Sequence, residues 1–331
     1  MKISYSEDFK NRKRIDEIVS EWQDNSSGLR LKSSGTTASP KSISLSRALL
    51  TWSANTTKNT FSLGNEHLYC CLPIERTGGF MQLIRSLVHN WDVHFVNPSK
   101  SPLKELENNH KYSLISLTPY QLEHSLKNLE KLSRFKLVLI GGAKLSESLL
   151  KEIERNKEAL GNTRIIETYG MTETASHIAY REVGDEWLQA VAGVQLSKVK
   201  DCLHLSIKEL DLEVQTSDMI EIQENQFKLI GRADHVINSA GIKIHPEIIE
   251  PLIQKTLLRC GIERAFYLGK KVNDTWGEEA VLVLEGAPIK DEPFILEILY
   301  RELPNYQHPK SIVYVDQIER TDTGKIKRII F

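Results

Sequence analysis

The sequence predicts an α/β protein. A large N-terminal domain carries a helix-covered, mostly parallel sheet plus a small β-region, and a small α+β lid domain follows. Three observations carry that prediction. Strand-like and helix-like segments alternate from His67 to Glu167, the order that a parallel sheet with crossover helices needs. Near Ala175 the pattern gives way to short alternating runs such as Cys202 to Ile207 and Phe227 to Ile230, which read as largely antiparallel strands. After Gly231 it changes again, to helix, two strands, helix and strand. The 331 residues suffice for one large and one smaller domain, placed here at 1–231 and 232–331.

Taken in order, Ile15, Ile18, Val19 and Trp22 stand at helical spacing within Phe9 to Trp22. Leu29 and Leu31, then Ile43 and Leu45, alternate with polar residues and predict a hairpin around the intervening loop. Ala48 to Phe61 reads as a helix, His67 to Leu72 as a strand, Phe80 to His89 as a helix and Asp92 to Val96 as a strand. Tyr112 to Leu117 is a strand, and Thr118-Pro119 starts a helix running to Leu129, with proline at its first position. Lys136 to Ile140 runs into Gly141-Gly142. Ser146 caps a helix reaching Lys157, and Arg164 to Glu167 leads into Tyr169-Gly170. Parallel sheets collect ligands at the carboxyl ends of their strands, where both glycine-bearing stretches fall. In the second domain Pro246 opens a helix with Ile248, Ile249, Leu252 and Ile253 on one face. Strands at Arg264 to Leu268 and Ala280 to Leu284, a helix from Pro293 to Leu303 and a strand from Ser311 to Val315 complete it.

Charge excludes some classes of partner. Lys plus Arg total 43 against 44 Asp plus Glu, and a net charge of −1 gives no attraction to nucleic acid or membrane surfaces. No apolar run reaches spanning length and Met1 to Lys10 carries no apolar signal segment, so the expected location is cytoplasmic. The four cysteines, Cys70, Cys71, Cys202 and Cys260, form no C-x-x-C pair. Cys70 and Cys71 read as reduced strand residues.

Four stretches carry chemistry. In Leu31 to Lys41, six of eleven residues are Ser, Thr or Gly. Such a loop can wrap an oligophosphate, with Lys41 as a point charge, or it can be an ordinary solvated turn. It lacks the spacing of a Walker A loop. In Glu167 to Thr174, Gly170 allows close backbone approach and Tyr169 offers a ring face to a base. Thr172 can donate to a phosphate, and Glu173 can hold Mg²⁺ together with water and phosphate oxygens. The alternative is a strand-to-helix turn with a capping threonine. Gly231 to Glu250 straddles the composition change and reads as a domain junction. Arg320 to Arg328 is the fourth stretch, or else a solvated basic tail.

In this order the four stretches resemble the adenylate-forming superfamily of acyl-CoA synthetases, luciferases and peptide-synthetase adenylation domains. The resemblance implies the roles that follow. Ser33, Ser34, Gly35, Thr36, Thr37 and Lys41 match the phosphate loop, with Ala38 where the family has a second glycine. Gly141, Gly142 and Ala143 match the adenine element. Tyr169, with Gly170 and Met171, matches the stacking motif, and Thr172 and Glu173 the α-phosphate and Mg²⁺ contacts. Thr216-Ser217-Asp218 is similar to the family's Thr-Gly-Asp, so Asp218 accepts from ribose hydroxyls with Arg232 beside it. Asp234 falls at the hinge and Lys325 at the invariant C-terminal lysine. The implied reaction begins when a substrate carboxylate attacks the α-phosphate of ATP and pyrophosphate leaves. Mg²⁺, Lys41 and Lys325 offset the build-up of negative charge. The thiol of coenzyme A then attacks the acyl-adenylate. Between the steps the lid rotates about the hinge, and Gly241 and Lys243 come to line the thiol tunnel.

Only Met1 to Lys32 precede the phosphate loop, where larger members carry a whole subdomain. The compact form resembles the short 2-succinylbenzoate–CoA ligases of menaquinone biosynthesis. That likeness lies in Cys71 to Ser86, Thr118 to Gln121, Gly170 to Ala179 and Asn238 to Ile244. It implies an acid with two carboxylates, one reacting and one held. Arg76, Thr77 and the backbone of Gly78-Gly79 suit an anion, as do Ser176 and His177. Lys100 and Arg85 read as surface residues. The expected partners are small molecules, namely the acid, ATP and coenzyme A, in a monomer or homodimer. Three other readings are a ligase for another aryl or acyl acid, a stand-alone adenylating enzyme, and a non-catalytic relic that only binds nucleotide. The retained Glu173, Asp218, Arg232 and Lys325 argue against the last.

Overall fold

The computed structural model describes residues 1–24, 27–32, 42–106, 111–273, 277–320 and 326–331. The chain packs as two compact units. The first comprises Met1–Leu196, Ser206–Val214 and Glu224–Phe227; the second comprises Ser197–Leu205, Gln215–Gln223 and Lys228–Phe331.

In the first unit the strands are β1 (Ile3–Tyr5), β2 (Gly28–Lys32), β3 (Ser42–Ser46), β4 (His67–Cys70), β5 (Asp92–Phe95), β6 (Leu114–Leu117), β7 (Leu137–Ile140), β8 (Arg164–Gly170), β9 (His177–Glu182) and β10 (Leu188–Ala190). The helices are α1 (Arg12–Gln23), α2 (Arg47–Thr60), α3 (Thr77–His89), α4 (Pro119–Ser125), α5 (Leu129–Leu132), α6 (Glu147–Arg155) and α7 (Lys157–Leu160). Six strands run parallel in the order β1-β5-β4-β6-β7-β8. Antiparallel β9 and β10 continue the sheet. Helices cover the parallel part, so its strands need no polar face. All four residues of β7, Leu-Val-Leu-Ile, are buried. One core gathers Tyr69, Ile115, Leu122, Phe135, Val138 and Leu149. The predicted hairpin forms, with Leu29 opposite Leu45 and Leu31 opposite Ile43. Its loop, Ser33 to Lys41, lies outside the described residues.

Three expectations shift. Helix α3 begins at Thr77, not Phe80. Glycines usually punctuate a helix. Here they let it pack closely, because a Cβ on Gly79 would lie 2.4 Å from the Pro73 carbonyl oxygen. The helix expected from Pro119 to Leu129 stops at Ser125 and resumes after a 3₁₀ turn. Strand β8 continues through Tyr169 and Gly170, because β9 pairs with it to the end.

In the second region β11 (Val194–Val199), β12 (Cys202–Ile207), β13 (Leu212–Gln223) and β14 (Gln226–Arg232) form the small β-region, and the division between units runs through these strands. Then come β15 (Ile237–Ser239), β16 (Ile242–Ile244), α8 (Pro246–Arg259), β17 (Phe266–Asn273), β18 (Gly277–Glu285), α9 (Glu292–Glu302) and β19 (Ser311–Val315). They build a sheet ordered β16-β15-β18-β17, with β19 parallel to β18. Its core joins Ile249, Ile253 and Leu257 of α8 to Leu268, Leu282 and Leu299. Ile248 and Leu252 do not share that face; they are 46% and 41% exposed. Residues at i, i+1, i+4 and i+5 occupy two neighbouring stripes, and the sheet covers only the Ile249–Ile253–Leu257 stripe. Among the described residues no helix is long and apolar enough to cross a membrane.

Candidate active site

The site grows from the carboxyl ends of β7 and β8. Gly141, Gly142 and Ala143 follow β7, with Gly142 at φ 92°. Beside them Thr168 donates to the Ile140 carbonyl at 2.9 Å. Tyr169 is half-buried, with its ring edge-on to Phe227 at 5.2 Å. Gly170 has a packing reason to be glycine, since a Cβ there would lie 2.1 Å from the Ser176 carbonyl oxygen. The close approach that the sequence reserved for a ligand is taken by the chain itself.

A 3₁₀ turn, Thr172 to Thr174, follows. Fully buried Thr174 fixes it, accepting from the Met171 N–H at 3.2 Å and donating to the Ser176 carbonyl at 2.7 Å. Thr172 is left half-buried and Glu173 exposed. Ala175, also buried, takes φ 60° and turns the chain back into β9.

The acid-side candidates meet this turn directly. Arg76 is the N-cap of α3, and Thr77 its first residue. The hydroxyl oxygens of Thr77 and Thr172 are 2.9 Å apart. The amides of Thr77, Gly78 and Gly79 occupy the first turn, whose N–H groups and dipole favour an anion.

Arg85 is not on the surface; it is 2% exposed. Every residue of α3 from Gly79 to Ser86 is buried, so its polar residues go inside with the rest. The guanidinium donates from Nε to Thr57 Oγ1 at 3.2 Å and from Nη2 to Ser176 Oγ at 2.7 Å. Burial pulls its pKa down to about 10. No carboxylate among the described residues pairs with it. The nearby Cys70 thiol is no counterion, because burial pushes it up to about 12. Cys70 and Cys71 are free and buried, as expected, but only Cys70 is a strand residue; Cys71 lies just past the end of β4.

His177 completes the cluster. It is 6% exposed, with Nε2 3.3 Å from Thr57 Oγ1 and Nδ1 3.4 Å from Ser176 Oγ. Burial first, and then the Arg85 charge, pull its pKa down to about 3. The unfolded chain regains the ordinary value near 6.5 and so takes up a proton that the folded protein refuses. Stability should therefore fall as pH drops through that window, by about 2 kcal/mol between pH 7 and 5 from this group. Thermal unfolding across that range should show a smaller loss in His177→Gln.

In the second unit Asp218 accepts from Arg232 Nη1 at 3.1 Å. Arg232 also grips Asp234 through Nε at 2.9 Å and Nη2 at 2.7 Å. Burial raises the Asp234 carboxyl, but Arg232 and His235 outweigh it and hold it below the usual range. Lys243 is exposed on β16, next to the two-residue β15–β16 turn of Ala240 (φ 50°) and Gly241 (φ 84°). Arg328 locks onto Glu250 with two bonds, at 2.6 and 2.9 Å. Lys325 lies outside the described residues, as do Ser33, Ser34, Gly35, Thr36, Thr37 and Lys41.

Comparison with known proteins identifies the family. Residues 31–205 match the family described as AMP-binding enzyme. The 2-succinylbenzoate–CoA ligase of Listeria monocytogenes is 25% identical, over 98% of this chain and 74% of that protein. The ligase of the same name from Lactococcus lactis is also 25% identical, over 98% and 75%. Among solved structures, an acyl-CoA synthetase (AMP-forming)/AMP-acid ligase II-like protein from Dyadobacter fermentans is 30% identical, with a TM-score of 0.62, over 94% of this chain and 90% of that one. The O-succinylbenzoate coenzyme A synthetase of Bacillus subtilis, solved with ATP and magnesium, shares the fold at a TM-score of 0.73 and 17% identity, over 90% and 68%. The chain belongs to the AMP-binding enzyme family, as an adenylate-forming acyl-CoA ligase.

Proposed function

We propose that the chain activates 2-succinylbenzoate as an acyl-adenylate, with ATP and Mg²⁺, and transfers it to coenzyme A. The observation that carries the acid's identity is Arg85. A buried cation without an anion costs several kcal/mol. Its described partners are neutral hydroxyls, and Ser176 stands four residues past Thr172. A second substrate carboxylate would supply the missing charge, and a monocarboxylic acid would not. The 2-succinylbenzoate–CoA ligases among the relatives support this choice of acid.

Within that reading Thr172 donates to the α-phosphate, Tyr169 and Gly141 to Ala143 take the adenine, and Asp218 with Arg232 the ribose. Ser33 to Lys41 hold the pyrophosphate. Residues 232–331 form the lid, hinged at Asp234 and bearing Lys325, with Gly241 and Lys243 toward coenzyme A. Among the described residues no group of three or more His, Cys, Asp or Glu could hold a metal by itself. One exposed carboxylate, Glu173, would hold Mg²⁺ together with water and substrate phosphate oxygens. The metal would neutralise phosphate charge; the chain's own part is to position the reactants.

The test is pyrophosphate release with a panel of acids, with and without coenzyme A. 2-Succinylbenzoate should give the highest turnover, and the thioester should appear only with the thiol present. Equal turnover with benzoate, indoleacetate or fatty acids would refute the choice of acid. Turnover independent of coenzyme A would point to an enzyme that loads some other acceptor.

A further inference from the structure

We propose that His177 is a positioning residue for Arg85: as the neutral Nε2–H tautomer it closes a ring of hydrogen bonds that fixes the two hydroxyls on which the guanidinium rests. This rests on Arg85 as the contact for a second carboxylate, and it adds what holds that contact in place. Counting protons assigns the tautomer. Thr57 has one hydroxyl proton, which it donates to the Ser53 carbonyl at 2.9 Å. Thr57 Oγ1 can therefore only accept, from Arg85 Nε at 3.2 Å and from His177 Nε2 at 3.3 Å. Nε2 must carry the imidazole proton, which leaves Nδ1 as an acceptor. Ser176 lies 3.4 Å from Nδ1 and donates its proton there, while its oxygen accepts from Arg85 Nη2 at 2.7 Å. The circuit Arg85–Thr57–His177–Ser176 uses each proton once.

Two consequences follow. Ser176 spends its proton on His177, so its role is to hold Arg85 and not to donate to the acid. Of the five guanidinium N–H groups, these contacts take two and leave the rest of the fork for a planar anion. A protonated His177 would break the circuit, because Nδ1 could no longer accept from Ser176. The charged group facing the ring is Arg85. The other neighbours, Thr57 in α2, Phe61 at its C-cap and Ser176 before β9, are uncharged. The low pKa of the ring agrees with this arrangement.

Two measurements test the proposal. Nitrogen-15 NMR of the imidazole in the full chain, without substrate, should show Nε2 protonated and Nδ1 bare from pH 8 to 5. An Nδ1–H tautomer, or titration near the ordinary histidine value, overturns the proposal whichever acid the enzyme uses. The second measurement compares acids. His177→Phe keeps a ring against Phe61 but no nitrogens. It should raise KM for 2-succinylbenzoate about tenfold with little change in kcat. Benzoate should stay within about twofold. His177→Gln, with one donor and one acceptor, should recover most of the loss. Equal losses with both acids, or no loss, would overturn the positioning role, and the glutamine variant decides alone if the phenylalanine variant does not fold. A wild type that does not prefer the diacid sinks the choice of acid instead, and the NMR result then decides the tautomer by itself.

Discussion

Lys325→Ala is expected to slow pyrophosphate release by about 10²–10³-fold while leaving thioester formation from supplied acyl-adenylate nearly intact. The first half-reaction brings a carboxylate to a polyphosphate, so charge piles up on the α-phosphate and on the leaving pyrophosphate. One ammonium removed from that point costs transition-state stabilisation, not ground-state binding alone. The second half-reaction joins a thiol to the acyl carbon and expels AMP, and under the proposed lid rotation Lys325 would have no part in it. On either side of this lysine the chain is pinned. Arg320 bridges to Ile326, the Lys327 N–H donates to the Glu319 carbonyl at 2.9 Å, and Arg328 grips Glu250. Stopped-flow measurement of each half-reaction separates the outcomes, and equal loss in both would remove Lys325 from its assigned role.

Arg85→Met should cost about 10²-fold in kcat/KM with 2-succinylbenzoate, the usual effect of truncating one partner of a buried charge pair. Monocarboxylic aryl acids should keep their rates. The fold should not suffer in step. Methionine fills similar volume, and removing an uncompensated buried charge is neutral or stabilising. A melting temperature held or raised beside a lost diacid preference is the diagnostic pair. A falling melting temperature with parallel losses for all acids would mean that Arg85 is structural.

The parts legible in the sequence were those set by local pattern. The β2–β3 register follows from Leu29 and Leu31 alternating against Ile43 and Leu45. The α6 cap follows from a serine before a helical run, and Ser146 does accept from the Leu149 N–H. The misread parts depend on what lies across the fold. Ile248 and Leu252 are as apolar as Ile249 and Ile253, and only the sheet decides which stripe is covered. Residue type alone puts Arg85 on the surface; in Phe80 to Val88 polar Gln82, Arg85 and Ser86 interrupt the apolar residues, and only the packing of α3 buries them all. The Thr77–Thr172 contact joins residues 95 positions apart, and no spacing rule reaches that far.

That contact has one more property. Each hydroxyl has one proton and can also accept, so the link between α3 and the Thr172 turn has no fixed polarity. With Thr172 donating to Thr77, the turn is satisfied and closed to outside acceptors. If a phosphate oxygen claims the Thr172 proton, Thr77 can donate in its place; only the two hydroxyl hydrogens rotate, with every heavy atom where it was. The helix that carries Arg85, with Arg76 at its N-cap, would then stay bonded to the Thr172 turn in both states.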